Sequence, residues 1–99
     1  MTTAWRDVPG STQFDQAVLV AGALAEAGVK DVVLRSQGKE ERLSSRATDL
    51  PWLLASAAPG TELVAESHGI IIRKTKTGFQ WKASDERIAG LIAGVLERP

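Results

Sequence analysis

Residues 62–83 constrain the fold more than any other part of the chain. Two Xaa-Gly pairs, His68-Gly69 and Thr77-Gly78, divide a stretch rich in strand formers: Leu63-Val64, Ile70-Ile71-Ile72, then Phe79 and Trp81. Glycine accepts the backbone angles of a tight hairpin turn, and β-branched and aromatic side chains suit a pleated, half-buried surface. The spacing predicts three strands, 62–66, 70–76 and 79–83, joined as an antiparallel meander. A meander cannot bury its apolar side alone, so the remainder of the chain must cover it.

The flanking segments supply the cover. Val32-Val33-Leu34 reads as another strand, Gln37-Gly38 as its turn, and 40–44 as a polar return strand. There Lys39, Glu40, Glu41 and Arg42 would blunt a sheet edge against stray pairing. A first helix is expected over 12–27. Thr12 and Asp15 have capping-box spacing, and Gly28 supplies the stop. Phe14, Val18, Ala21 and Ala25 recur at helical spacing as its inward face, with Ala17 and Leu24 beside them. A short second helix starts at Thr48 or Asp49, carries Pro51 in its first turn and ends at Pro59-Gly60, burying Leu50, Leu53, Leu54 and Ala57. Trp52 lies about 200° around that helix from Leu50 and so points away from the stripe. A last helix, capped by Ser84, runs to about residue 97 with Ile88, Leu91, Ile92 and Val95 inward and Leu96 beside them.

The resulting order, α-β-β-α-β-β-β-α, predicts a two-layer α+β domain with an antiparallel sheet of about five strands and three helices. Residues 1–10 form an N-terminal arm, and 11–99 a single domain. Trp5 in the arm is expected to dock, on the domain's own core or on a partner. The apolar runs Val32–Leu34 and Ile70–Ile72 imply that part of the second sheet face is covered as well, by the arm or by another subunit.

The inventory of reactive groups is short. With 99 residues and no cysteine, the chain can bury one core without staples, and disulfides, zinc-thiolate sites, iron–sulfur clusters and thiol catalysis are excluded. The single histidine, His68, follows Glu66 and Ser67 directly, and neighbouring strand residues point to opposite faces, so adjacency does not make a triad. Gly38-Lys39 lacks the upstream glycine and following Ser/Thr of a phosphate-binding loop. No catalytic, cofactor-binding or metal-ligating residues are assigned, and a non-enzymatic protein is expected. No apolar run approaches the ~20 residues of a membrane helix, and no signal-peptide pattern opens the chain. A cytoplasmic protein with no membrane partner is expected.

Charge is balanced overall, with 12 basic and 12 acidic residues, but unevenly placed. Arg73, Lys74, Lys76 and Lys82 fall within 70–82 without one acid. Beside Trp81, they make nucleic-acid binding by this hairpin the alternative function. The leading expectation is a protein–protein interaction or self-association module, with another protein or a second copy as partner. Trp52, off its helix's buried stripe, is the residue type most enriched in interface hot spots. Gly90 and Gly94, four apart on the last helix, would let another backbone come close. A small-ligand or catalytic domain is a further alternative. The element order is similar to that of roadblock-type dimerisation modules, which pair through helices and sheet edges, although the second helix here is shorter and no motif is shared. Gly38-Lys39, Ser45 and a following short helix resemble the histidine-containing phosphocarrier protein, but Ser11-Thr12-Gln13 stands where its phosphorylated histidine would precede the first helix. No family is identified.

Overall fold

The structure, a computed structural model, describes residues 5–45 and 48–97. In chain order the elements are β1 (Arg6–Asp7), α1 (Gln13–Glu26), β2 (Asp31–Ser36), β3 (Lys39–Ser44), α2 (Leu50–Ser56), β4 (Glu62–Ala65), β5 (Ile70–Lys74), β6 (Phe79–Ala83) and α3 (Glu86–Leu96). The meander forms as its spacing requires. β4 pairs with β5 and β5 with β6, both antiparallel, with Ile72 opposite Leu63 on one side and Trp81 on the other. The first break is not a two-residue hairpin turn. A 3-10 turn, Glu66–His68, occupies it before Gly69.

The sheet has the order β1-β6-β5-β4-β2-β3, entirely antiparallel, so the fold is α+β with six strands rather than five. The extra strand lies in the arm, where Arg6 stands opposite Trp81 and Asp7 opposite Gln80. β2 and β3 are joined at Gln37-Gly38, with φ of 53° and 79°, the pair of positive angles that matches a hairpin's twist. Gly78 is needed for space. A Cβ there would stand 2.2 Å from the Gln16 side-chain oxygen. That buried amide donates to the Gly10 carbonyl at 3.1 Å and accepts from the Phe79 N–H at 3.1 Å, tying arm, helix and hairpin together.

All three helices lie on one face of the sheet, with α1 between α2 and α3. Val32, Leu63, Ile70, Ile72, Phe79, Trp81 and Ala83 meet Val20, Leu24, Leu50, Leu54, Ile92 and Leu96 in one core. Capping follows the sequence in part. Thr12 accepts from the Asp15 N–H, while α3 is capped by Asp85 rather than Ser84, its carboxylate accepting from the N–H groups of Arg87 and Ile88.

The inward face of α1 differs from the expected one. Its buried residues are Gln16, Ala17, Val20, Ala23 and Leu24, whereas Phe14 and Ala21 are half-buried and Val18 and Ala25 exposed. Ten of its fourteen residues are apolar or small, so periodicity offers two stripes, and the one with Val20 and Leu24 takes the core. In α2, Leu50 and Leu54 are buried while Leu53 and Ala57 stand at the margin. In α3, Leu91 turns outward and Ala89 takes an inward place.

Candidate protein-interaction surface

Two broad faces of the molecule carry no further layer, the open side of the sheet and the outer side of the helices. The strand registers organise the first into rows. One row reads Lys82, Ile71, Val64, Val33, Arg42 across five strands, three β-branched side chains with a cation at each end. Val64 is only 7% exposed although it lies outside the main core. The next row reads Asp7, Gln80, Arg73, Glu62, Arg35, Glu40, alternating in sign apart from Gln80. Gln80 donates to Asp7 at 2.9 Å and accepts from Arg73 at 2.6 Å. Arg35 bridges Glu40 at 2.6 Å and Glu66 at 3.4 Å. Its hydrogen bond to Glu40 is the main cause raising its pKa above the ordinary arginine value.

Trp5 lies on this face. Its ring sits 4.0 Å from the Arg73 guanidinium and 4.6 Å from the Lys82 ammonium, so the arm covers one end of the apolar row. The docking expected of Trp5 is therefore onto the open sheet face.

The hairpin residues expected to form a nucleic-acid platform are not gathered there. Arg73 and Lys82 share the open face, Lys76 is exposed beyond the end of β5, and Lys74 and Trp81 belong to the opposite face, both buried under the helices. Lys74 is 5% exposed and donates to the carbonyls of Leu54 at 3.1 Å and Ala55 at 2.6 Å, at the C-terminal end of α2. Burial lowers its pKa, and the Phe79 ring lies 5.0 Å from its ammonium. The correction has a simple cause. Consecutive strand residues point to opposite faces, so Arg73 and Lys74 separate by one pleat step. The signal for it was in the sequence, where Lys74, Ile72 and Ile70 share a period of two. The described cations that remain on the open face are interleaved with Asp7, Glu62, Glu40 and Glu66, so among the described residues they form no single-sign row.

A cavity of about 390 Å³ opens at the other end of this face, floored by Val33 and Val64 and edged by Lys30, Asp31, Arg42 and Glu66. Ser67 and His68 line it too, their side chains hydrogen-bonded to each other at 2.7 Å. The pair is local, residue to next residue. The mixed charges around it favour neither an anion nor a cation. Among the described residues no group of three or more histidine or acidic side chains is placed to hold a metal ion.

The outer helical side is different. Trp52 is 65% exposed, and its ring meets that of Phe14 on α1 at 4.4 Å between centroids, tilted by 51°. Val18, one turn along from Phe14, is 48% exposed, and Leu91 on α3 is 43% exposed. Gly22, Gly90 and Gly94 are exposed, and beyond their own helix backbone and chain neighbours nothing described lies within 4 Å of where a Cβ would stand. The close packing expected at Gly90 and Gly94 is therefore not made by the described part of this chain. Instead these glycines leave bare backbone beside Leu91. Phe14 and Val18 were not anticipated as surface residues; the even spread of apolar residues around α1 was the signal that part of them had to face outward. No family model matches the chain, and no curated protein or solved structure matches it. No described helix is long and apolar enough to cross a membrane.

Proposed function

We propose that the chain is a non-enzymatic protein-interaction module that works through the outer face of its helical layer. The observation that supports this reading is α1. It carries apolar side chains on both sides, one set against the sheet and one in solvent, and its outward Phe14 and Val18 run into Trp52 of α2. Large apolar side chains grouped on an exposed face mark an interaction site. Trp52 would contribute as a large rigid anchor, the kind of residue that dominates interface energetics. Principal extents of 30 × 29 × 24 Å give any one face roughly the 800 Å² per partner that a specific complex buries. The partner is another protein or a second copy. The nucleic-acid alternative loses support because Lys74 and Trp81 are buried and the open face is charge-balanced.

Sedimentation velocity and affinity capture from cell extract, run on wild type, Trp52→Ala, Val18→Asp and an Arg73→Ala/Lys82→Ala pair, test this reading. The first two changes are expected to abolish association, and the sheet-face pair to leave it intact. Association lost only in the sheet-face pair, or absent from the wild type at every concentration and in every extract, would overturn it.

A further inference from the structure

The charge around the helical face indicates what kind of molecule covers it. The helices and their caps carry Asp15, Glu26, Asp49, Asp85, Glu86 and Glu97 against Arg87 alone among the described residues. The described strands and their turns carry an excess of cations instead. At about 100° per residue, Asp15 and Glu26 fall on the flank of α1 next to Val18 and Gly22, on its outward side. Both are exposed, as are Glu86 and Glu97 on α3. The outer helical face thus carries an apolar band (Trp52, Phe14, Val18) with an acidic rim along the flank of α1, and α3 adds exposed Leu91, Glu86 and Glu97.

Resting on the reading of this face as an interaction surface, we propose that its occupant is a basic amphipathic helix of another protein, with an apolar stripe flanked by lysine or arginine. Such a helix would set its stripe on the Trp52–Phe14–Val18 band and its cations on the rim, the arrangement by which amphipathic helices dock on apolar surfaces. Complementary rims steer the encounter and reject wrong partners. A second copy is disfavoured by the same rim, because two copies placed face to face would bring Asp15 and Glu26 of one against those of the other. The bare backbone at Gly22, Gly90 and Gly94 gives a docked helix room to lie close.

The test is selection by the full chain from a displayed library of helix-forming peptides about four turns long, with a fixed leucine stripe and flanking positions randomised among Lys, Glu and Gln. Lysine flanks are expected to enrich at least about tenfold over glutamate flanks. By fluorescence anisotropy, the selected peptide should lose about tenfold or more in affinity against Trp52→Ala. It should weaken with added salt, and the preference should fall away with Glu26→Lys/Glu97→Lys. These two lysines would stand at helix C-terminal ends, where a cation suits the helix dipole, so the variant is expected to fold, as circular dichroism can check. Equal enrichment of both flanks, or binding that survives Trp52→Ala, would overturn the proposal. A Trp52-dependent dimer in sedimentation with no peptide enriched would also overturn it, while leaving the interaction face itself standing. Neither dimer nor enrichment would remove both.

Discussion

The open face of the sheet and the outer face of the helices are both bare, yet they treat their own side chains differently. On the sheet, Arg73, Gln80 and Asp7 form a hydrogen-bonded chain, Arg35 holds two carboxylates, and Trp5 from the arm covers Arg73 and Lys82. The apolar row beneath is sunk between these longer side chains. On the helices, Trp52 meets the Phe14 ring yet stays 65% exposed, and Val18 and Leu91 keep nearly half of their surface in solvent. Bare area therefore does not distinguish the two faces. What distinguishes them is how far each has paired its own groups, and the sheet has gone further.

The largest effect that could break this contrast is expected at Val64. Val64→Asp would place a carboxylate at a position only 7% exposed and should lower stability by about 3 kcal/mol in urea unfolding. The corresponding change on the other face, Trp52→Ala, removes one ring contact and should lower stability by only about 1 kcal/mol while abolishing association. Equal losses from the two would show that the faces are alike.

Between the layers, Lys74→Met takes the donor from the Ala55 carbonyl and should lower stability by about 1–2 kcal/mol. The pH dependence gives a second reading of the same group. Burial holds the folded pKa of Lys74 below the ordinary value of 10.5, so between those two values the unfolded chain binds more protons. Stability contributed by this group therefore rises with pH across that window, and urea titrations at stepped alkaline pH should lose that slope in Lys74→Met. The smallest effect is expected for Arg35→Ala. Its ion pairs are exposed, so any loss in melting temperature should vanish at high salt. A loss that persists there would mean the charged row is structural.

Much of this architecture was legible from residue order. Gly38, Gly69 and Gly78 placed the strand breaks, and the runs between them placed five of the six strands. β1 was not legible, because Arg6-Asp7 is too short to show alternation and pairs only through the edge that β6 offers. The direction in which α1 faces was not legible either. Phe14, Val18, Ala21 and Ala25 make as good a stripe as Ala17, Val20 and Leu24, and only the sheet's apolar side decides between them. Of the candidate site, Trp52 could be placed outward by helical angle alone. Phe14 beside it depends on how α2 crosses α1, which no local pattern states. Counting cations along the chain misled for Lys74 because proximity in sequence ignores the pleat.

The clasp made by Gln16 has a practical consequence for anyone shortening or tagging this protein. One amide serves Gly10 and Phe79 together, and Val8 donates to the Phe79 carbonyl at 3.0 Å. A fragment beginning at Ser11 would strip a strand from β6, bare the edge of Trp81 and leave half of that amide idle. Residues 5–10 belong with the domain, so fusions and epitope labels are better joined upstream of Trp5 than grafted at Ser11.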